Sequence, residues 1–230
     1  MKVFGFLCFG HYAFGGQSGP SAEKIAKTHL EIAQAADEIG VNDASFRVRH
    51  FVPQASAPMP LLGAVAATTK HIEVGTGVID MRYENPQYLA EEAASLYQIS
   101  GGRVSVGVSR HAPEVAVRGW ETFGYKDEAP NGAYMQMFGM QATGSDQMGM
   151  LPDVGTSTFG RTFAAEPDKL IEQLKVNPTV MSADALLITI PTGMGTDVNV
   201  KILDNFATHV APALGWQPNR EGPVTGYPIE

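Results

Sequence analysis

The sequence predicts an α/β fold built on a parallel sheet, and three observations carry that expectation. Short β-branched apolar runs alternate along the chain with segments of helical periodicity. The runs Ile72 to Ile79 and Arg103 to Arg110 are joined by a helical pattern that starts at Pro86 and breaks at Gly101-Gly102. A crossover of that length suits parallel strands, because antiparallel neighbours need only a tight turn. Both runs also end in unusual chemistry. Gly75-Thr76-Gly77 lets a flat ligand approach the backbone, and Ser109-Arg110-His111 sets a hydroxyl, a fixed cation and an imidazole at a strand's carboxyl end, where parallel α/β folds bind ligands.

Taken in order, Val3 to Phe9 reads as the first strand, and a turn-rich loop from Gly15 to Pro20 leads to Ser21 as the N-cap of a helix. Ile25, Ile32, Ala33, Ala36 and Ile39 recur at helical spacing until Gly40 closes that helix. Asn42 to Val52 is the second strand, Pro58 to Thr69 a helix of small residues, Ile72 to Ile79 the third strand and Gln87 to Ile99 the third helix. Val104 to Ser109 is the fourth strand, followed by a helix from Pro113 to Phe123. Four βα units in a row have the rhythm of a TIM barrel or of the first half of a doubly wound sheet.

The rhythm then stops. Five of the ten methionines fall between Tyr125 and Gly160, a stretch with no amphipathic period and at most one short strand, Ala133 to Met140. Periodicity returns with a helix from Pro167 to Leu174, a strand from Ala185 to Ile190 and an amphipathic helix from Asn199 to Leu214, and Pro218 to Glu230 reads as a tail.

With 230 residues, 44% hydrophobic and 17% charged, the chain has material for one sizeable core, and one domain spanning 1–230 is expected. A net charge of -8 argues against nucleic acid or an anionic membrane as partner and leaves small molecules as the expected ligands. The single cysteine, Cys8, rules out an internal disulfide and a cysteine-rich metal site, so a buried thiol and no metal are expected. No secretory pattern or long apolar run is present, which makes a cytoplasmic protein the expectation. The HExxH, Walker A, GxSxG and GxGxxG patterns are all missing, so zinc hydrolysis, P-loop chemistry, hydrolase chemistry and Rossmann dinucleotide binding have no support.

The runs KVFGFLCFGHY, FRVRHF, IEVGTGVIDMRYENP, EEAASLYQISGGRVSVGVSR, FGRTFAAEPDKLIEQL and ALLITIP together resemble the bacterial luciferase-like flavin monooxygenase family. They cover roughly three quarters of the chain, and the SGGR turn followed by a GxSR strand is the most specific part. The resemblance implies an incomplete TIM (β/α) barrel with about five recognisable parallel strands, in which residues 126–160 replace barrel units five to seven. It also implies FMN, or F420 in its place, at the carboxyl ends of the strands, with reduced FMN and O2 acting on a small organic substrate such as an aldehyde. Family members are longer, and the end of their fifth strand supplies much of the flavin phosphate pocket, a piece without counterpart here. Where they carry two adjacent histidines on strand two, this chain has Arg49-His50, and His111-Ala112 replace the usual small residues after strand four. A shortened, dimeric, non-luminescent flavoprotein is a precedent within the family.

On that resemblance His50 is the candidate acid or base beside the flavin, and Gly75, Thr76, Gly77, Ser109 and Arg110 are the candidate flavin contacts. His11, Tyr12, Arg82 and His111 are candidates for lining a substrate pocket. The second reading is a non-catalytic flavin-binding or assembly protein. Either way a homodimer is expected, because loss of three units leaves strand four an open edge that needs covering.

Overall fold

The computed structural model describes residues 3–109, 119–125 and 163–222. The strands are β1 (Val3–Cys8), β2 (Asp43–Phe46), β3 (Glu73–Thr76), β4 (Ile79–Asp80), β5 (Val104–Ser105), β6 (Val108–Ser109) and β7 (Ala185–Ile190). The α-helices are α1 (Ala22–Ile39), α2 (Pro58–Thr68), α3 (Pro86–Ser100), α4 (Pro167–Lys175), α5 (Pro178–Ser182) and α6 (Thr196–Asn205). β5, β3, β2, β1 and β7 form one parallel sheet in that order, and β4 pairs with β6 in a short parallel ladder. The carboxyl-terminal strand lies beside the first, with Val3 opposite Ala185 and Cys8 opposite Ile190, as closure of a barrel would place it. Among the described residues the sheet is open, with β5 at one edge and β7 at the other.

Alternation along β1 sends Phe4, Phe6 and Cys8 to the helical side and Val3, Gly5 and Leu7 to the other. The helical side is the core. Phe4 packs edge-on against Trp216 with ring centroids 4.8 Å apart, Phe6 meets Phe46 at 5.9 Å, and Ile32, Leu62, Ile72 and Leu203 are fully buried around them. Helix α1 forms as its pattern predicts. The Ser21 side chain accepts from the Lys24 N–H at 3.1 Å, and Gly40 takes the left-handed conformation (φ 95°) that lets its N–H cap Ala36 and Asp37.

Three expected strands are shorter or broken. β2 ends at Phe46 rather than Val52, because beyond it the chain folds back, with Arg49 N–H bonded to Ala55 O and Tyr12 N–H to Pro53 O. The third and fourth strands each split in two. Gly75 is opposite Ser105 and Ile79 opposite Val108, so three residues on one strand face two on the other, which is a bulge. The Thr76 hydroxyl bridges the break by donating to Gly107 O and accepting from Gly107 N–H, both at 2.8 Å.

The helical run at 196–214 is also divided, with a π turn at Phe206–Val210 and a 3-10 turn at Ala211–Leu214. Pro212 has no N–H to continue the α ladder. The expected tail is docked as far as it is described. Trp216 Nε1 donates to Asn42 Oδ1 at 2.7 Å, Asn219 N–H donates to Gly40 O at 2.8 Å, and a Cβ on Gly40 would stand 2.8 Å from Pro218. Helix α5, not anticipated, starts at an Asn177 cap followed by Pro178. Of the helix expected from Pro113 to Phe123, the described residues Gly119–Phe123 form a 3-10 turn, and the rest of it and the strand expected at Ala133 to Met140 lie outside the described residues.

The loop between α2 and β3 is gripped from two sides. Asp37 on α1 accepts the backbone N–H groups of Lys70, His71 and Ile72 at 2.7 to 2.8 Å. Arg103, only 6% exposed, uses all five guanidinium N–H groups: Nε to Ser100 O, Nη1 to Thr69 Oγ1 and Ile72 O, Nη2 to Ala66 O and Thr69 O. A lysine there would keep the charge but reach only part of this set, leaving buried carbonyls unpaired. Arg103→Lys is expected to lower stability by about 2 to 4 kcal/mol, read as a lower urea midpoint with unchanged slope. An unchanged midpoint would show that the clasp is not needed.

Candidate functional site

The carboxyl ends of β1 and β2 bring together side chains on the face of the sheet turned away from the helices. Continuing the alternation past Leu7 and Ser45 places Phe9 and Arg47 there, and the Arg47 guanidinium lies over the Phe9 ring, 4.9 Å from its centroid. Phe9 in turn stacks on His11, with centroids 6.1 Å apart and planes 10° from parallel. Arg47 is half-buried and has no carboxylate partner among the described residues. Burial, and after it the neighbouring Arg49 charge, lower its pKa. Burial and the Arg47 charge likewise hold His11 below the ordinary imidazole value. The Gln54 amide is hydrogen-bonded to His11 Nε2, which orients the ring. A half-buried guanidinium over a planar stack at a strand end can hold a flat, anionic molecule.

His50 stands at the same end in a different environment. Tyr83 and Phe123 pack edge-on against its ring at 5.1 and 4.9 Å, and its Nε2 lies 3.9 Å from Glu84 Oε1. It borders a cavity of about 520 Å³ that Tyr88, Glu92 and Tyr125 also line. Burial, with the Glu84 charge second, raises the Tyr125 pKa. Phe51 next to His50 holds a left-handed backbone (φ 60°), a conformation that costs a non-glycine residue about 1 to 2 kcal/mol. A Cβ on Gly119 would stand 2.7 Å from the Phe51 ring, so this corner is tightly packed.

The glycine motif has a packing role in the structure. A Cβ at Gly75 would meet Ser105 O at 3.0 Å, and one at Gly77 would meet Leu7 Cδ1 at 2.5 Å and Arg47 N at 3.0 Å. The Thr76 hydroxyl is engaged with Gly107 on both sides. Ser109 ends β6 and is half-buried. Arg82, expected in a substrate pocket, is 4% exposed and its guanidinium forms a two-pronged ion pair with Asp80, with Nη2 2.6 Å and Nε 3.2 Å from Oδ2. Tyr12 is half-buried, held by its backbone to Pro53. Arg110 and His111 lie outside the described residues.

Arg47 and Phe9 are the site residues that reading the sequence passed over. Their signal was alternation: Phe9 is two positions beyond Leu7 and Arg47 two beyond Ser45, each one turn of the pleat past the sheet's polar face.

Lower on that face a second cavity, about 380 Å³, is lined by Val3, Gly5, Leu7, Asp43, Ser45 and Glu73 among others. Asp43 sits directly opposite Glu73 in register. Burial pushes the Asp43 carboxyl up to about 7, the Ser45 hydroxyl bond at 2.7 Å lowers it, and the Glu73 charge raises it. A raised carboxyl pKa favours the protonated fold, so its stabilising contribution is full below about 4 and lost as pH rises through about 7. Asp43→Asn is therefore expected to gain stability relative to the parent as pH goes from about 4 to about 7, with a flat difference above. Urea midpoints at pH 4, 6 and 8 measure this, and a difference that does not grow with pH would refute it.

Residues 1–132 match the family model described as luciferase-like monooxygenase. The oxygenase component of the flavin-dependent trigonelline monooxygenase of Acinetobacter baylyi is 35% identical over 85 residues, 36% of this chain and 24% of that protein. The F420-dependent glucose-6-phosphate dehydrogenase of Amycolatopsis mediterranei is 34% identical over 117 residues, 46% of this chain and 35% of that one. Among solved structures, the oxygenating constituent of 3,6-diketocamphane monooxygenase of Pseudomonas putida, in complex with FMN, aligns over 55% of this chain and 33% of its own. Its identity is 22% and the TM-score 0.45. The chain spans well under half the length of the curated relatives it matches, at most 38% among the first of them.

Proposed function

This chain belongs to the luciferase-like monooxygenase family, and on that premise we propose that it binds reduced FMN, with F420 the alternative, and uses O2 to oxidise a small organic substrate such as an aldehyde. The observation that carries the reading is the Arg47–Phe9–His11 stack beside Arg49 at the carboxyl ends of the strands. It fits the group in two respects: the stacked rings match a flat heterocycle, and the half-buried Arg47 offers a fork of donors to a phosphate or carbonyl oxygen. The glycines Gly75 and Gly77 fit it less well, since neighbouring atoms already occupy the space a side chain would take.

When bound, the flavin supplies the electrons and the site of O2 chemistry. The chain's own residues do the rest. Arg47 neutralises the anionic part of the cofactor, with Arg110 and Ser109 proposed to join it on the polar edge. His50 is proposed to act as acid or base beside the flavin, its Nε2 3.9 Å from Glu84 Oε1. Tyr83 and Phe123 shield that imidazole from water.

The second reading, a non-catalytic flavin-binding or dimeric assembly protein, draws support from the sheet, which among the described residues is open at β5 and β7. A flavin titration separates the two. FMN added to the purified chain is expected to bind with quenching of its fluorescence, and Arg47→Ala to weaken that binding by about one to two decades through loss of charge-assisted hydrogen bonds. Unchanged affinity in the variant removes Arg47 from the site. No binding of FMN or F420 at millimolar concentration, with a stable dimer by light scattering, makes the assembly reading the better one.

A further inference from the structure

The cavity beside His50 has a chemistry of its own. Its volume, about 520 Å³, lies in the range that small-molecule sites occupy. Tyr83, Phe123 and Tyr125 present aromatic surface to it, and Glu84 and Glu92 are the carboxylates on its wall. The rings are fixed rather than loose: Tyr83 and Phe123 lie 5.1 Å apart, each also in contact with His50. Glu84 is 19% exposed, so its charge acts in a partly dry setting where screening is weak.

We infer that this cavity binds a compact organic cation, a quaternary ammonium or an N-alkylated ring, and that positive charge defines the substrate class of the enzyme. Aromatic faces carry negative quadrupole, and a cation that they desolvate gains from the rings and from Glu84 together. An anion finds the opposite. The first turns of α2 and α3 border the cavity with partial positive charge of about +0.5 each. Pro58 and Pro60 remove two of the four terminal N–H groups of α2, and the Asn85 side chain takes those of Gln87 and Tyr88 at the start of α3. The half-buried Glu84 charge, with the exposed Glu92 beyond it, outweighs what remains. Among the described residues that line it there is no lysine or arginine. The net charge of -8 draws cations toward the protein at long range.

The inference rests on the proposed function only for calling the ligand a substrate, and binding can be read without flavin. Choline and its uncharged isostere 3,3-dimethylbutan-1-ol differ in one charge and are titrated into the full chain by calorimetry. Choline is expected to bind roughly 2- to 30-fold more tightly, the span of cation–π contacts from exposed to desolvated. Glu84→Gln is expected to shrink that ratio to within about 2-fold, by losing a full charge from the wall. Phe123→Leu keeps the wall apolar and serves as a second variant, expected to lower choline affinity and leave the alcohol's unchanged; circular dichroism checks that both variants fold. Equal affinity for the two probes, no choline binding, or tighter binding of benzoate than of choline overturns the inference. A choline-selective chain that binds neither FMN nor F420 would retain the cation site and refute the flavin function instead.

Discussion

Everything in the described structure hangs on how the loop after α2 is held against the sheet, and one guanidinium does most of the holding. Arg103 spends all five donors on acceptors from α2, from the start of β3 and from the end of α3. Asp37 on α1 grips the N–H side of the same loop, so Ile72 donates to one and accepts from the other. A planar fork with fixed angles converts one side chain into a bracket for three elements, which a flexible ammonium cannot imitate. Arg103 O also accepts the Val74 N–H, which ties β3 to β5 at this point, and losing the bracket would leave the buried carbonyls of the loop unpaired.

Much of this was legible in the residues. The helices α1, α2 and α3 announced themselves through Ser21, Pro58 and Pro86 at their starts and Gly40 and Gly101 at the ends of the first and third. β7 was found to the residue, because ALLITI is a short apolar, β-prone run bounded by Asp184 and Pro191, even though as an edge strand it buries only Ile190 fully. The shortened β2 was not legible. Nothing in FRVRHF marks where the partners stop, since strand length there is set by neighbours rather than by propensity. The bulge was hidden for the same reason: Thr76 is a good strand residue, and its side chain acts in place of the backbone only because Gly107 lies opposite.

At the site, pattern recognition pointed to the conspicuous residues and geometry to plainer ones. Gly75-Thr76-Gly77 attracts notice as a cradle, yet Leu7, Arg47 and Ser105 crowd it from the neighbouring strands. Arg82 looked available because a charged side chain in a loop usually is, and Asp80 two positions earlier claims it. Arg47 and Phe9 were hidden in apolar or basic runs until two strands stood side by side. Proximity across strands is the one quantity a linear reading cannot supply.

The pairing of β1 with β7 also bears on how the chain is made. β1 can acquire β2 soon after both emerge, but its other edge waits for residues 185–190, which leave the ribosome last among the described strands. At roughly 5 to 20 residues per second that wait is on the order of ten seconds or more. Throughout it an apolar strand carrying Phe4, Phe6 and Leu7 has backbone groups open to any passing extended segment. Completion of the sheet, with Trp216 and Asn219 then locking over Asn42 and Gly40, is a long-range closure that comes after local helices have formed. Until β7 arrives, that edge of the first strand is a site where sheltering by another segment or a chaperone would matter.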